Sequence, residues 1–362
     1  DKVYDKCCGI DVHKKLIVAC FRKGSKQELR NFGATTRELL ELANWLQNGG
    51  CEMVAMESTA SYWKPLYNIL ESSELKAMVV NASHMKAVPG RKTDTKDAEW
   101  IAELLQHGLL KASYIPDKQQ RELRELVRYR KSLVSERTRE LNRLQKMLEG
   151  ANIKLSGTVS DINCMSARNI LEYLLTGEFF DEAKYDEMYK QKIIAHNLKA
   201  SKEQIIDDLN GVMTPLQRRM MKELLSHLDE LNVHINNLED EIDNFMKPEE
   251  KQATQAIQDV TGIGKNSSQA IISVIGTDMS RFPTAGHLAA WAGLCPGNNE
   301  SAQKRKTGKM RKGNALLRST LVVCAHSATR NKNSYFYAQF MRISSHRGKK
   351  RAYVAVAHSM LI

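Results

Sequence analysis

Apolar residues fall into two regimes along this chain. Over roughly the first eighty residues they come in short runs separated by polar breaks; beyond residue 118 they recur every three or four positions. Lys6-Cys7-Cys8-Gly9-Ile10-Asp11-Val12 and Leu16-Ile17-Val18-Ala19-Cys20-Phe21 flank a polar break, which predicts a β-hairpin, and Glu28 to Phe32 predicts a third strand. Thr36 then caps a helix with apolar Leu39, Leu40, Leu42, Ala43 and Leu46, closed by Gly49-Gly50. A strand at Met53–Met56, a helix from Tyr62 to Glu71, a buried strand at Lys76–Val80 and a helix from Asp94 to Gly108 follow. This order predicts an α/β layer domain over residues 1–115.

Residues 118–149 and 215–246 read as two long helices. In the second, Leu224, Leu228, Leu231, Ile235, Leu238, Ile242 and Phe245 alternate spacings of four and three, a heptad seam. The expectation is an antiparallel coiled coil over 116–250, pairing within the chain or with another chain. The polar segment 151–214 is inserted at its tip as small helices. Residues 251–362 predict a mainly helical third domain, with helices at 268–275, 284–293 and 315–329. Between the last two lie a loop, Leu294 to Gln303, and the densest basic segment, Lys304 to Asn314. The fold class is therefore α/β plus α.

Charge narrows the partners. The net charge is +12, which favours a polyanion. From Ser301 to the end there are fourteen Lys and Arg and no Asp or Glu, whereas ordinary solvated faces mix signs. The seven cysteines contain no CxxC pair and read as reduced thiols of a cytoplasmic protein, with no zinc module. No apolar stretch approaches about eighteen residues, so no membrane role is expected. The chain begins without Met and stops in an apolar run, Tyr353 to Ile362, as a chain trimmed at one or both ends would.

Four carboxylates then stand out. Asp11 lies inside an apolar run, Glu57 ends another, and Asp94 and Asp97 are three apart where a helix begins. Carboxylates at strand ends plus an i, i+3 pair can converge on Mg²⁺ or Mn²⁺, and in a basic protein the matching substrate is a phosphodiester. Each acid alone also reads as a surface charge, and Asp94 as a helix N-cap. An acid in the middle of an apolar strand is harder to set aside, because its charge needs a partner. His13, two residues on, shares the Asp11 face but reads as a surface residue. Gly262, Gly264 and Lys265 suit either a helix-hairpin-helix that binds a DNA phosphate or a plain helix–helix turn. Lys304, Arg305, Lys306, Lys309, Arg311, Lys312 and Arg318 complete the candidate nucleic-acid-binding set.

The order strand-Asp, strand-Glu, helix-Asp-x-x-Asp resembles RuvC-like members of the RNase H fold. Three motifs narrow the resemblance: Gly9-Ile10-Asp11-Val12-His13 with Met56-Glu57-Ser58-Thr59-Ala60, Arg91-Lys92-Thr93-Asp94-Thr95-Lys96-Asp97, and Gly262-Ile263-Gly264 leading to Ala289-Ala290-Trp291-Ala292-Gly293 and Lys312-Gly313-Asn314. Together they resemble the DEDD transposases of the insertion-sequence 110 family. The resemblance implies a DNA recombinase with a RuvC-like domain, a coiled coil and a C-terminal transposase domain. It assigns Asp11, Glu57, Asp94 and Asp97 to catalysis and metal binding, and Ser301 to a nucleophile that forms a phosphoserine link to DNA. Family members carry Ser-Gly where this chain has Ser301-Ala302, a departure that puts the loop conformation in doubt. The resemblance further implies donor and target DNA, a structured noncoding guide (bridge) RNA encoded by the element, a dimer assembling to a tetramer, and a prokaryotic, nucleoid-associated location. Two other readings compete: a metal-dependent endonuclease with Ser301 idle, and a non-enzymatic nucleic-acid scaffold.

Overall fold

The first three strands form a meander: β1 Lys6–Val12, β2 Leu16–Lys23 and β3 Lys26–Gly33, antiparallel in sequence. The computed structural model describes residues 3–57, 60–81, 94–159, 161–194, 200–296, 300–301, 304–305, 310 and 313–362. They belong to two compact units, Asp1–Pro116 and Asp117–Ile362.

In the first unit, β4 Met53–Glu57 pairs parallel to β1, β5 Ala77–Val80 parallel to β4, and β6 Ala112–Ser113 antiparallel to β5. The sheet order is β3-β2-β1-β4-β5-β6. Both faces are covered, which explains why the central strands read as near-continuous apolar runs. Helices α1 Thr36–Asn48 and α2 Trp63–Ser72 cover one face, where Leu42, Leu46, Leu66 and Leu70 pack on Ile10, Phe21 and Met56. Helix α3 Asp94–Gln106 covers the other: Ile101 and Leu105 meet Cys7, Ala55 and Val80, while Ala98 and Ala102 meet Val18 and Cys20.

Two details differ from the sequence reading. Thr35, not Thr36, caps α1, because the glutamate that completes the cap is three residues after Thr35. Glu38 accepts from the Thr35 hydroxyl at 2.7 Å and from Gly33 N at 2.9 Å, which holds its carboxyl below the usual range, the Thr35 bond most of all. The two-residue edge strand β6 is too short to leave a period in the sequence. Burial raises the Cys8 thiol well above its ordinary value, Cys20 to about 11 and Cys51 to about 12. These thiols stay protonated near neutral pH and are core residues rather than nucleophiles.

In the second unit, α4 Lys118–Gly150 runs antiparallel to α9 Pro215–Phe245. Leu123 and Val127 share a cluster with Ile242 and Met246, Leu133 with Leu231, Ile235 and Leu238, and Leu144 and Leu148 with Met221, Leu225 and Leu228. At 33 residues α4 is about 50 Å long. Four short helices, α5 Leu155–Thr158, α6 Met165–Thr176, α7 Glu182–Lys190 and α8 Lys202–Leu209, form a core around Phe180 where the two long helices end.

The other end is built from α10 Pro248–Gln258, α11 Lys265–Ile275, α12 Ala285–Trp291, α13 Ala315–Ala328, α14 Tyr335–Arg347 and α15 Lys349–Leu361, which share one core with the start of α4 and the end of α9. Helix α14 carries no clear apolar period because Phe340 is its one buried residue. Among the described residues no helix is long and apolar enough to cross a membrane.

Candidate active site

The site is organised by the direction of α3 across the sheet. The α3 end at Gln106 lies beside the entry to β1, since its carbonyl accepts from Val3 N at 2.8 Å. Ala98 and Ala102 lie against Gly9 in mid-strand: a Cβ built on Gly9 would sit 2.2 Å from Ala102 N and 2.5 Å from the Ala98 carbonyl oxygen. Helix α3 therefore runs antiparallel to β1, and its first turn overhangs the carboxyl ends of β1 and β4. Asp11 stands two residues beyond Gly9, about 7 Å along the strand. Asp97 stands five residues before Ala102, about 7 Å along the helix. The lengths match, and Asp97, half-buried, belongs to the same end of the layer as Asp11.

Parallel register brings Glu57 to that end. Ile10 pairs with Met56, so Asp11 and Glu57 are neighbours one step on. Alternation puts Asp11 with Cys7, and Glu57 with Ala55, on the α3 face. Asp11 is 4% exposed, and Nε2 of His13 lies 2.9 Å from its Oδ2. His13 is exposed, as expected of a surface residue, and its ring also touches the buried carboxylate. Gly9, Ala98 and Ala102 carry no chemical signature in the sequence; the one signal is a glycine inside a strand, which marks close backbone approach. Tyr62 is exposed and Trp63 packs edge-on to Tyr67 at 5.8 Å, behind the end of β4.

The described donors suit a hard divalent cation in kind. They are carboxylates, two of them on adjacent strand ends of one face, and one is buried where its charge requires a partner. Among the described residues no group of three or more His, Cys, Asp or Glu side chains is close enough to share one ion. The Asp94 side chain lies outside the described residues, although Asp94 opens α3.

The second candidate region is a β excursion in the second unit. Its base is a contact between two glycines: a Cβ on Gly313 would fall 2.4 Å from Gly293 N. Pro296 and Met310 form an antiparallel bridge above it. Farther out, β7 Glu300–Ser301 pairs with β8 Lys304–Arg305, with Ser301 opposite Lys304. The segment read as loop from Leu294 to Gln303 thus contains a strand, because the chain is pinned at Gly293 and Gly313 and folds back on itself. The side chains of Ser301, Lys304 and Arg305 lie outside the described residues, as do Lys306, Lys309, Arg311 and Lys312 entirely. Arg318 is half-buried on the first turn of α13.

Gly262, Gly264 and Lys265 form the turn between α10 and α11. Gly262 has φ +93°, and a Cβ there would sit 2.6 Å from the Cys324 carbonyl oxygen, so it packs the turn onto α13. Gly264 caps α11 without a side-chain acceptor and is exposed, which leaves helix-start amides for an anion. Lys265 is ion-paired with Asp243 of α9, a bond a phosphate would have to displace.

Comparison with known proteins draws these regions together. Residues 8–153 match the family model described as DEDD_Tnp_IS110, transposase. Residues 254–340 match the model of the transposase IS116/IS110/IS902 family. The transposase for insertion sequence element IS1111A of Coxiella burnetii is 23% identical over 314 residues, covering 85% of this chain and 75% of that protein. A probable family 20 transposase of Pseudomonas aeruginosa is 23% identical over 325 residues, covering 89% of this chain and 80% of that one. Among solved structures, T. thermophilus RuvC in complex with a Holliday junction substrate aligns at 11% identity and a TM-score of 0.24, over 30% of this chain and all of that one. The first model spans the carboxylate edge and the second spans the Ser301 excursion, and the chain belongs to the IS110 family of transposases.

Proposed function

We propose that this transposase cuts and rejoins donor and target DNA through a covalent phosphoserine link at Ser301, with Asp11, Glu57, Asp94 and Asp97 forming the other half of the site. The observation that carries this reading is the placement of Asp11 and Glu57 side by side on the α3 face, under the end of α3 that bears Asp97. The sheet order supports an RNase H-like, RuvC-like first domain: an antiparallel meander continued by two parallel strands, with the acids at its carboxyl edge.

In this reading Ser301 Oγ bonds to phosphorus, the scissile P–O bond breaks, and the departing sugar oxygen takes up a proton while the serine proton passes to solvent. A sugar hydroxyl of the partner strand then attacks the phosphoserine and releases Ser301. One phosphodiester is exchanged for another, so no external energy source is required. The carboxylates would hold Mg²⁺ or Mn²⁺, which when bound offsets developing charge on the phosphate oxygens. His13 orients Asp11, and α3 shields the site from one side.

The finer organisation belongs to the same proposal. Residues 1–115 are the catalytic domain, 116–250 a coiled coil with 151–214 inserted, and 251–362 the serine-bearing domain with a basic nucleic-acid surface. The partners are donor and target DNA and a structured guide RNA whose base pairing reads sequence while the protein grips backbone. A homodimer assembling to a tetramer supplies enough serines for two duplexes, beside the nucleoid in the cytoplasm.

The test is a denaturing-gel assay for protein–DNA adducts with labelled junction DNA, Mg²⁺ and element RNA. Ser301→Ala abolishes the adduct, and Asp11→Asn lowers its formation by at least about 10²-fold, in the range of lost electrostatic stabilisation. DNA cleavage that persists in Ser301→Ala would identify water as nucleophile and support the endonuclease reading. Full activity of Asp11→Asn would remove the carboxylates from the mechanism. Sequencing RNA that copurifies from cells carrying the element tests the guide.

A further inference from the structure

We propose that the elbow between α14 and α15 is a nucleic-acid backbone grip, separate from the Ser301 segment and specific to phosphate rather than base sequence. Arg342, Arg347, Lys349, Lys350 and Arg351 are all exposed there within ten residues. No Asp or Glu occurs from Ser301 to the end of the chain, and among the described residues none of the five pairs with an acid. All five lie beyond residue 340, outside both segments matched by the family models.

A solvated charge run is the ordinary explanation of exposed lysines, and two features argue against it here. Surfaces that serve solubility intersperse signs, whereas this elbow carries one. Lys349, Lys350 and Arg351 also occupy the first turn of α15, where the helix dipole opposes cations. That arrangement is adverse for the isolated protein and becomes favourable when phosphates lie over it.

The elbow is also held on a fixed base. Tyr353, two residues after Arg351, stacks on Phe340 at 4.6 Å and lies 5.0 Å from the His326 ring. Gln339 Nε2 donates to Ser359 Oγ across the two helices at 2.8 Å, and Ala352 and Val356 are buried below the cations. The cations thus meet a backbone from positions already set, which limits the ordering cost of binding. The inference rests on the proposed function only in taking nucleic acid as the ligand.

The experiment measures binding of the full chain by fluorescence anisotropy over a salt series. The probes are a DNA duplex of arbitrary sequence and an RNA hairpin of equal charge. Lys349→Gln/Lys350→Gln/Arg351→Gln makes the plot of log affinity against log salt shallower by about 2 to 3, roughly one unit for each phosphate no longer neutralised, on at least one probe. The probe that responds tells whether the backbone held is DNA or RNA. A control removing the same charge from the inserted segment and α9, Lys190→Gln/Lys192→Gln/Lys222→Gln, leaves the slope unchanged. An unchanged slope in the elbow variant, or an equal loss in the control, overturns the proposal. Adduct formation at Ser301 is a separate readout, so either reading can fail without the other.

Discussion

Among the described glycines of the first unit, Gly9 has the closest approach to another element's backbone. Its missing side chain lets α3 lie with backbone atoms 2.2 to 2.5 Å from where a Cβ would be, and that closeness sets the height of Asp97 over Asp11. Gly9→Ala must lift α3 or bend β1. The expected cost is about 1–3 kcal/mol or somewhat more, read as a lower urea midpoint, with a loss of adduct formation larger than the stability change explains. A Gly9→Ala protein with unchanged midpoint and activity would show that the α3 contact does not position the site. The buried thiols make a second prediction. Cys20 and Cys51 hold their protons to about 11 and about 12 in the fold, against an ordinary value near 9. Above about pH 9 the unfolded chain releases these protons first, so stability is intact below that pH and falls as pH rises towards 11. Urea midpoints at about pH 8 and about pH 10.5 should show the decline, and Cys20→Ala/Cys51→Ala should reduce it.

At the scale of elements, the pairing of α4 with α9 combines an apolar seam with polar contacts that select one alignment. Arg137 donates to Asn232 Oδ1 at 3.1 Å across the pair, and Glu140, 3% exposed, takes Arg143 and lies 3.7 Å from His227. Arg130 ties α4 to α11. Arg130 is 4% exposed, and its guanidinium donates to Gln269 Oε1 at 2.6 Å and to Asn266 Oδ1 and carbonyl oxygen at 3.1 Å. Gln269 in turn donates to Asp243 of α9 at 2.7 Å. Removing one member of such a network strands the rest, so Arg130→Ala should cost about 3 kcal/mol. The measurement is urea unfolding followed by helical circular dichroism. The Leu224-to-Phe245 spacing makes α9 legible as a helix with an apolar seam, and 118–149 as a second long helix. The choice of partner and direction rests on pairs such as Arg137–Asn232, whose residues are 95 apart and leave no local pattern.

For the whole molecule, legibility follows the range of the forces involved. The strands of the first unit and the acids at their ends were readable because burial on both faces writes apolar runs into the chain, and Asp11 interrupts one. Alternation made the shared face of His13 and Asp11 readable, but the Gly9–α3 approach and the closing of the His13–Asp11 contact were not, since each depends on where a distant segment or a ring rotamer lands. The β7–β8 pair was missed because two residues per strand carry no period. Asp11 and Ser301 fall in different compact units, so the proposed chemistry requires the two to be delivered to one phosphate. A dimer offers two ways, within a chain or between chains, and mixing defective chains separates them. Asp11→Asn and Ser301→Ala chains are each inactive alone. If acids of one chain serve the serine of its partner, a mixed dimer has one intact site and one doubly defective site. Random re-pairing of equal amounts then restores about one quarter of wild-type adduct, since half the dimers are mixed and half their sites intact. If each chain served itself, every site would keep one defect and mixing would restore nothing. Recovery of the quarter, with the adduct attached to the Asp11→Asn chain because that chain alone retains Ser301, assigns the site to two chains, and no recovery assigns it to one; a mass tag on one chain reads the assignment directly.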